Sequence, residues 1–330
     1  VDAFPVTLAT KDPEEIIQAV KWIAPAFGGI NLEDIASPKC FYVLDRLREE
    51  LDIPVWHDDQ QGTAAITLAG VLNALKVVGK DPRKATYAVI GSGAANIAFV
   101  RVALTYGIPA GNILMVDSKG ILHPGREDLE RGRDENPYKW DYAHRTNAER
   151  RTGGIAEALV GTDVCVAASK PGPGTIKPEW VKRMAKDAIV LACANPVPEI
   201  WPWEAKEAGA PIIGTGRSDF PNQINNSIGF PAIFRGTLDV FAKTITDEMA
   251  IAAAEDKGLR DDHIVPSMMD LDVFVNEAVA VGLKAIEQGV ARRVLTKAEL
   301  ERQAETMIKR ARAEVEILQK AGHIPPPPKV

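Results

Sequence analysis

Two periodicities take turns along this chain of 330 residues. Short apolar runs bounded by Gly, Pro or Asp read as buried strands, and longer stretches with apolar residues three and four apart read as helices. Asp12-Pro13-Glu14-Glu15 opens a helix with acids in its first turn, and an apolar run ends at Leu32 just before Glu33-Asp34. Residues 38–51 predict the next helix and Ile53-Pro54-Val55-Trp56 a buried strand. A helix then opens at Gly62-Thr63 and is broken by Gly79-Lys80-Asp81-Pro82. Strand and helix alternate in the order of a βαβ unit.

Beyond residue 80 the strands are clearer. Apolar runs at 86–90, 113–116, 164–168, 189–194 and 212–213, separated by helical segments, predict a doubly wound parallel sheet of five strands. From Pro221 the pattern is helical, and Thr296-Lys297-Ala298-Glu299 is a capping box opening a long charged helix that the prolines at 325–328 end. Residues 126–151 carry mixed charge and are expected to face solvent. No internal repeat is present. The expected fold is α/β: a partial substrate and metal domain at 1–79, a doubly wound dinucleotide-binding domain at 80–218, and a helical segment at 219–330 returning to the first.

Composition narrows the class. A hydrophobic content of 46% and a charged content of 25% are those of an ordinary globular protein. No uninterrupted apolar run reaches the roughly eighteen residues of a membrane-spanning helix. A net charge of -6 and a pI near 5.6 speak against a general nucleic-acid surface and point to a small-molecule enzyme. Cys40, Cys165 and Cys193 are far apart, with neither CxxC spacing nor clustered His, so no disulfide framework or structural zinc is indicated. Cys165 and Cys193 read as core residues. A reducing, cytoplasmic location is expected, since no signal peptide precedes the first strand.

Asp58 and Asp59 end the second strand, and in open α/β sheets the carboxyl ends of strands face the ligand crevice. Glu33 and Asp34 stand at the matching end of the first. Several carboxylates in a dry crevice raise one another's pKa, which a divalent cation resolves. Ligation by oxygen alone selects Mg²⁺ or Mn²⁺ over zinc. One such pair by itself reads equally as solvated surface, whereas two at matching positions favour a site.

Gly91-Ser92-Gly93-Ala94-Ala95-Asn96 follows the strand at 86–90 and opens a helix, the arrangement that seats a pyrophosphate at a helix N-terminus. Asn96 stands where the usual pattern has its third glycine. Asp117, 21 residues after Asn96, ends the next strand where a carboxylate accepts the adenosine ribose hydroxyls. That favours NAD, yet Ser118, Lys119 and Arg126 follow and could bind a 2′-phosphate, so NADP stays open. On spacing alone, Asn225 and Asn226 read as a helix cap as readily as a site.

Taken together these segments resemble malic enzyme in its compact bacterial and archaeal form. The resemblance runs from Val1 to about Leu283 and is carried, in the same order, by residues 1–6, 30–35, 57–64, 91–95, 116–120, 194–200 and 216–236. It implies that Glu33, Asp34 and Asp59 are metal ligands and that Asp58 supports the catalytic base. It places Asn195 and Asn226 at the substrate and nicotinamide, with Gly91, Ser92, Gly93, Ala94, Ala95, Asp117, Ser118, Lys119 and Asn195 along the cofactor. The implied reaction is oxidative decarboxylation of L-malate to pyruvate and carbon dioxide, with NAD or NADP and Mg²⁺ or Mn²⁺, in a homo-oligomer, as a dimer. Two alternatives stand beside it: a malolactic-type enzyme giving lactate, and a dinucleotide- and metal-binding module without turnover. The family's proton-donating tyrosine and basic lysine lie upstream of the residues that match 1–6. Tyr42 and Lys39 match no catalytic position and are read as ordinary helix residues.

Overall fold

The computed structural model describes residues 1–253, 259–268 and 270–325. In the first unit Asp12 caps helix Pro13–Ile23, its carboxylate accepting from the backbone N–H of Glu14 and Glu15 at 2.8 and 3.1 Å. Pro13 costs nothing at the first position, where its absent N–H has no partner to lose. Strands β1 (Ile30–Leu32) and β2 (Val55–His57) pair in parallel, with Leu32 opposite His57. Helix Pro13–Ile23 and helix Lys39–Glu50 cover the pair, burying Ile17, Val43, Leu44 and Leu47. This register makes Glu33 and Asp58 leave the pair side by side.

Helix Thr63–Val77 has no polar face: residues 64–75 are all buried. It packs against helix Ala94–Tyr106 of the second unit and so lies between the two sheets. That second sheet comprises β3 (Tyr87–Ile90), β4 (Ile113–Asp117), β5 (Gly120–Ile121), β6 (Val164–Ala167), β7 (Ile189–Ala192) and β8 (Ile212–Thr215). Their order is β5-β4-β3-β6-β7-β8, and all pairs are parallel except β4 with β5. The five parallel strands are the five expected; the short antiparallel β5 is not among them. Alternate residues face two cores, Val89, Met115, Val166 and Leu191 on one side and Ile90, Val116, Cys165 and Val190 on the other. The strand order reverses between β3 and β6, which sets the crevice there.

Residues 126–151 face solvent over much of their length, as expected, yet are anchored along one side. They fold into helices Glu127–Arg131 and Pro137–Arg145 and bury Leu129, Tyr142, Ala143, Thr146 and Asn147. Charged residues dominate the composition, but the few apolar ones recur at spacings that put them on one inward face. The stretch from Pro221 is also less helical than expected, with loops at 240–246 and 259–268 between helices. Helices Phe230–Asp239 and Leu271–Glu287 cross closely at Gly236, where a Cβ would lie 2.1 Å from the Ala278 carbonyl oxygen. With helix Asp247–Ala252 they enclose Ile233, Met249 and Val281 together with Trp56 and Ala65. The capping box holds: Thr296 N–H donates to Glu299 Oε2 at 2.8 Å and Glu299 N–H to Thr296 Oγ1 at 3.3 Å, opening helix Lys297–Lys320. Residues 326–328 of the proline tail lie outside the described residues. Among the described residues no helix is long and apolar enough to cross a membrane.

Candidate active site

The end of β2 runs into a single π-helical turn, Asp58–Gly62, a widened geometry often found at functional sites. Asp58 is buried there. Its Oδ2 accepts from Asn226 Nδ2, a residue 168 positions away, and its Oδ1 from Trp56 Nε1 at a long 3.4 Å. Burial pushes the Asp58 carboxyl up to about 6 against these two hydrogen bonds, with the Asp59 charge adding to the rise. Burial, then the charges of Asp58 and Asp59, push Glu33 up to about 7, opposed by a hydrogen bond from Asn31 Nδ2 at 3.1 Å. Asp34 sits at φ 58, the left-handed region that few residues other than Gly, Asn and Asp adopt. In that conformation its N–H donates to Asp59 Oδ2 at 3.0 Å and fixes the second acid against the first strand.

The four acids are therefore electrostatic neighbours, as expected. Among the described residues no three His, Cys, Asp or Glu groups yet approach closely enough to share one ion. The donor set still suits a hard cation, being all oxygen and strained by its own charge. His57 and Gln60 had no role in the sequence reading. His57 is fully buried, its Nδ1 lies 3.8 Å from Asp59 Oδ2, and neither ring nitrogen has a hydrogen-bond partner; both side-chain polar atoms of Gln60 are equally unpartnered. Buried polar atoms without a partner are uncommon in a folded core. The one signal was their adjacency to the acid pair.

At the switch point, Gly91 adopts φ 104, and a Cβ on it would lie 2.4 Å from the Ala168 carbonyl oxygen across on the β6 side. Gly93 differs: a Cβ there meets nothing within 4 Å, so the space in front of helix Ala94–Tyr106 is open. Asn96 replaces the third glycine usefully, its Nδ2 donating to the carbonyls of Ile90 and Gly91 at 2.8 and 3.1 Å and tying the loop to the strand end. Ser92, Ala94 and Ala95 complete the turn into the helix. Asp117 ends β4 with Ser118 and Lys119 exposed beyond it. Its carboxylate already accepts from Arg126, Lys139 and the Lys119 N–H.

The two asparagines of 225–226 divide the roles that spacing left open. Asn225 is the cap, accepting from Ser227 N–H at 3.0 Å, whereas Asn226 reaches Asp58. Asn195 follows β7 and is exposed; its amide lies beside Gly216, where a Cβ would come within 2.8 Å of Nδ2. Buried Glu199 anchors that loop, accepting from Ala194 N–H at 3.1 Å and from Ser169 N–H at 2.8 Å after β6. Lys39 and Tyr42 lie in helix Lys39–Glu50, bonded to the Lys11 carbonyl and to Glu14.

Residues 60–260 match the malic enzyme NAD-binding domain and residues 7–48 the malic enzyme N-terminal domain. The chain is 46% identical over 299 residues to the bifunctional malic/malolactic enzyme of Bacillus subtilis, covering 88% of this chain and 71% of that protein. It is 48% identical over 300 residues to the NAD-dependent malic enzyme of Geobacillus stearothermophilus, covering 89% of this chain and 60% of that one. The crystal structure of Entamoeba histolytica malic enzyme superposes with a TM-score of 0.93 at 48% identity, covering 98% of this chain and 69% of the other. The chain thus spans between three fifths and three quarters of the length of these relatives.

Proposed function

Since this chain belongs to the malic enzyme family, we propose that it oxidatively decarboxylates L-malate to pyruvate and carbon dioxide, reducing NAD or NADP. The observation that carries this reading is the packing of the acid turn Asp58–Gly62 on the dinucleotide helix Ala94–Tyr106. On this reading the contact brings the acid turn and the nucleotide to one cleft. Glu33, Asp34 and Asp59 would hold Mg²⁺ or Mn²⁺. When bound, the ion supplies Lewis-acid polarisation of the substrate hydroxyl and then of the ketone.

Every other role falls to the chain's own groups. Asp58, raised to about 6, has the proton affinity to support a base that takes the hydroxyl proton near neutral pH. Asn226 and Trp56 fix its two oxygens. Backbone N–H groups at the start of helix Ala94–Tyr106 receive the pyrophosphate. Asn195 offers an amide to the substrate carboxylate or the carboxamide without adding charge. Residues 1–79 and 219–330 form the substrate and metal domain on this reading, and 80–218 the nucleotide domain; the helices that enclose Trp56 support that division. A cytoplasmic homodimer goes with this reading through the family resemblance, while the cavity lined by Phe4, Phe230 and Phe274 is also lined by Glu33 and Asp34 and so belongs to the candidate site.

Product analysis tests the reading. Malate with Mn²⁺ and either nucleotide should give pyruvate and reduced nucleotide in equal amounts. Lactate without accumulating reduced nucleotide would replace it by the malolactic reaction, which the name of the Bacillus relative keeps in view. Nucleotide binding with no turnover of malate would leave only a binding module.

A further inference from the structure

Asn195 is exposed at the carboxyl end of β7, and among the described residues no hydrogen bond ties its amide to the chain. An amide on a loop recognises a ligand well only when the loop is already fixed, because ordering it on binding costs affinity. Glu199 fixes one side, accepting from Ala194 N–H at 3.1 Å. The other side is held from β8. Gly216, which follows that strand, packs so closely that a Cβ would lie 2.8 Å from both Asn195 Nδ2 and the Cys193 carbonyl oxygen.

The next residue, Arg217, is the tie between the two loops. Its Nη1 donates to the Pro196 carbonyl at 2.8 Å, while Nε and Nη2 donate to Asp219 at 2.8 and 2.7 Å as a bidentate fork. The guanidinium carbon lies 5.9 Å from the centre of the Trp201 ring and 5.6 Å from that of Phe220, within cation–π range. Trp201 in turn stacks on Trp203 at 4.8 Å with the ring planes 10° apart. A planar fork fixes the direction of all these bonds at once, which a lysine cannot do. The Arg217 and Asp219 side chains are 32% and 54% exposed, so the ion pair itself adds little to stability. What it adds is geometry, at the residue that follows Asn195.

We propose that Arg217 is the positioning residue for Asn195: bound to the Pro196 carbonyl, it holds the Asn195 amide at the carboxamide of the nicotinamide. This rests on the reading above that puts Asn195 there. The test is calorimetric titration of NADH, and of ADP-ribose, which lacks the nicotinamide, into the full chain. The same titrations are made with Asn195→Ala, Arg217→Ala, Arg217→Lys and the double variant Asn195→Ala with Arg217→Ala. Arg217→Ala should weaken NADH about tenfold and ADP-ribose less than about twofold, and Arg217→Lys should recover part of the loss. With Asn195→Ala already in place, removing Arg217 should weaken NADH by less than about twofold more, because its route to the ligand is gone. Equal losses for NADH and ADP-ribose would make Arg217 a phosphate ligand or a general support, and fully additive losses in the double variant would take Asn195 out of its action; either overturns the proposal. So would NADH affinity unchanged in Arg217→Ala but lowered in Asn195→Ala. Asn195→Ala without effect on NADH would instead bring down the placing of Asn195, and this proposal with it. Binding of neither ligand would bring down the dinucleotide reading as a whole.

Discussion

Gly62 and Gly93 lack a side chain for different reasons, and each gives a separable outcome on substitution. A Cβ on Gly62 would lie 1.8 Å from Asp58 Oδ1, with its backbone at an ordinary φ of -65. The backbone of Gly62→Ala can stay put, so the displaced group is Asp58, pulled from Asn226. Turnover should fall by about 10² or more, the scale of a lost proton-transfer partner, with Tm shifting by a few degrees. An unchanged kcat would show that the position of Asp58 is immaterial. At Gly93 the added methyl meets no protein atom, so Gly93→Ala should leave Tm alone and weaken NADH by about tenfold or more through contact with the pyrophosphate. Gly91→Ala should instead lower Tm, because both φ 104 and the Ala168 carbonyl oppose a Cβ. Calorimetric melts beside NADH titrations separate the three. The glycine loop was legible in sequence, as was the acid pair. The division between Asn225 and Asn226 was not, since the partner of Asn226 lies 168 residues upstream and only the folded chain brings it there.

Strands and helices follow from local pattern because β3, β6 and β7 of the second sheet are buried on both faces and read as unbroken apolar runs. What joins the elements does not. Asp163, just before β6, accepts from Lys80 Nζ at 2.8 Å and from Thr86 N–H and Oγ1 at 2.9 and 3.0 Å, stitching the start of β6 to the start of β3. Burial alone would raise its pKa, but the Lys80 and Thr86 hydrogen bonds outweigh it and hold the carboxyl below the usual range. A depressed carboxyl stabilises the fold above its unfolded value near 4, and that contribution fades as pH falls through the folded value. Asp163→Asn should therefore cost about 1–3 kcal/mol at pH 7 and progressively less below about pH 4, measured by urea unfolding across pH. The same loss at both ends would assign the effect to packing. The anchoring of residues 126–151 was illegible for a kindred reason: their charge is plain in the composition, whereas the burial of Tyr142 and the Tyr138 bond to Asp45 depend on distant parts of the chain.

At the scale of the molecule, helix Thr63–Val77 is a wall common to both chemistries, with the acid turn at its start and helix Ala94–Tyr106 along its side. Cation and nucleotide should consequently bind with linked affinities. Saturating Mn²⁺ should change the NADH dissociation constant by about 5- to 150-fold, and NADH should change that of Mn²⁺ by the same factor, as linkage demands. Titrations in both orders check it, and equal affinities with and without the partner would make the wall inert. The closure of Trp56 and Ala65 by Ile233, Met249 and Val281 has a consequence in time. During synthesis β1 and β2 emerge before the nucleotide sheet, but one flank of that unit stays bare until helices from far downstream emerge. The nucleotide sheet is complete by Thr215 and draws its pairing from the middle of the chain alone. Domains generally fold as units during synthesis. The nucleotide sheet should then form before the unit of β1 and β2 closes, so that β1 and β2 become protected from proteolysis only after helices Phe230–Asp239 and Leu271–Glu287 have emerged.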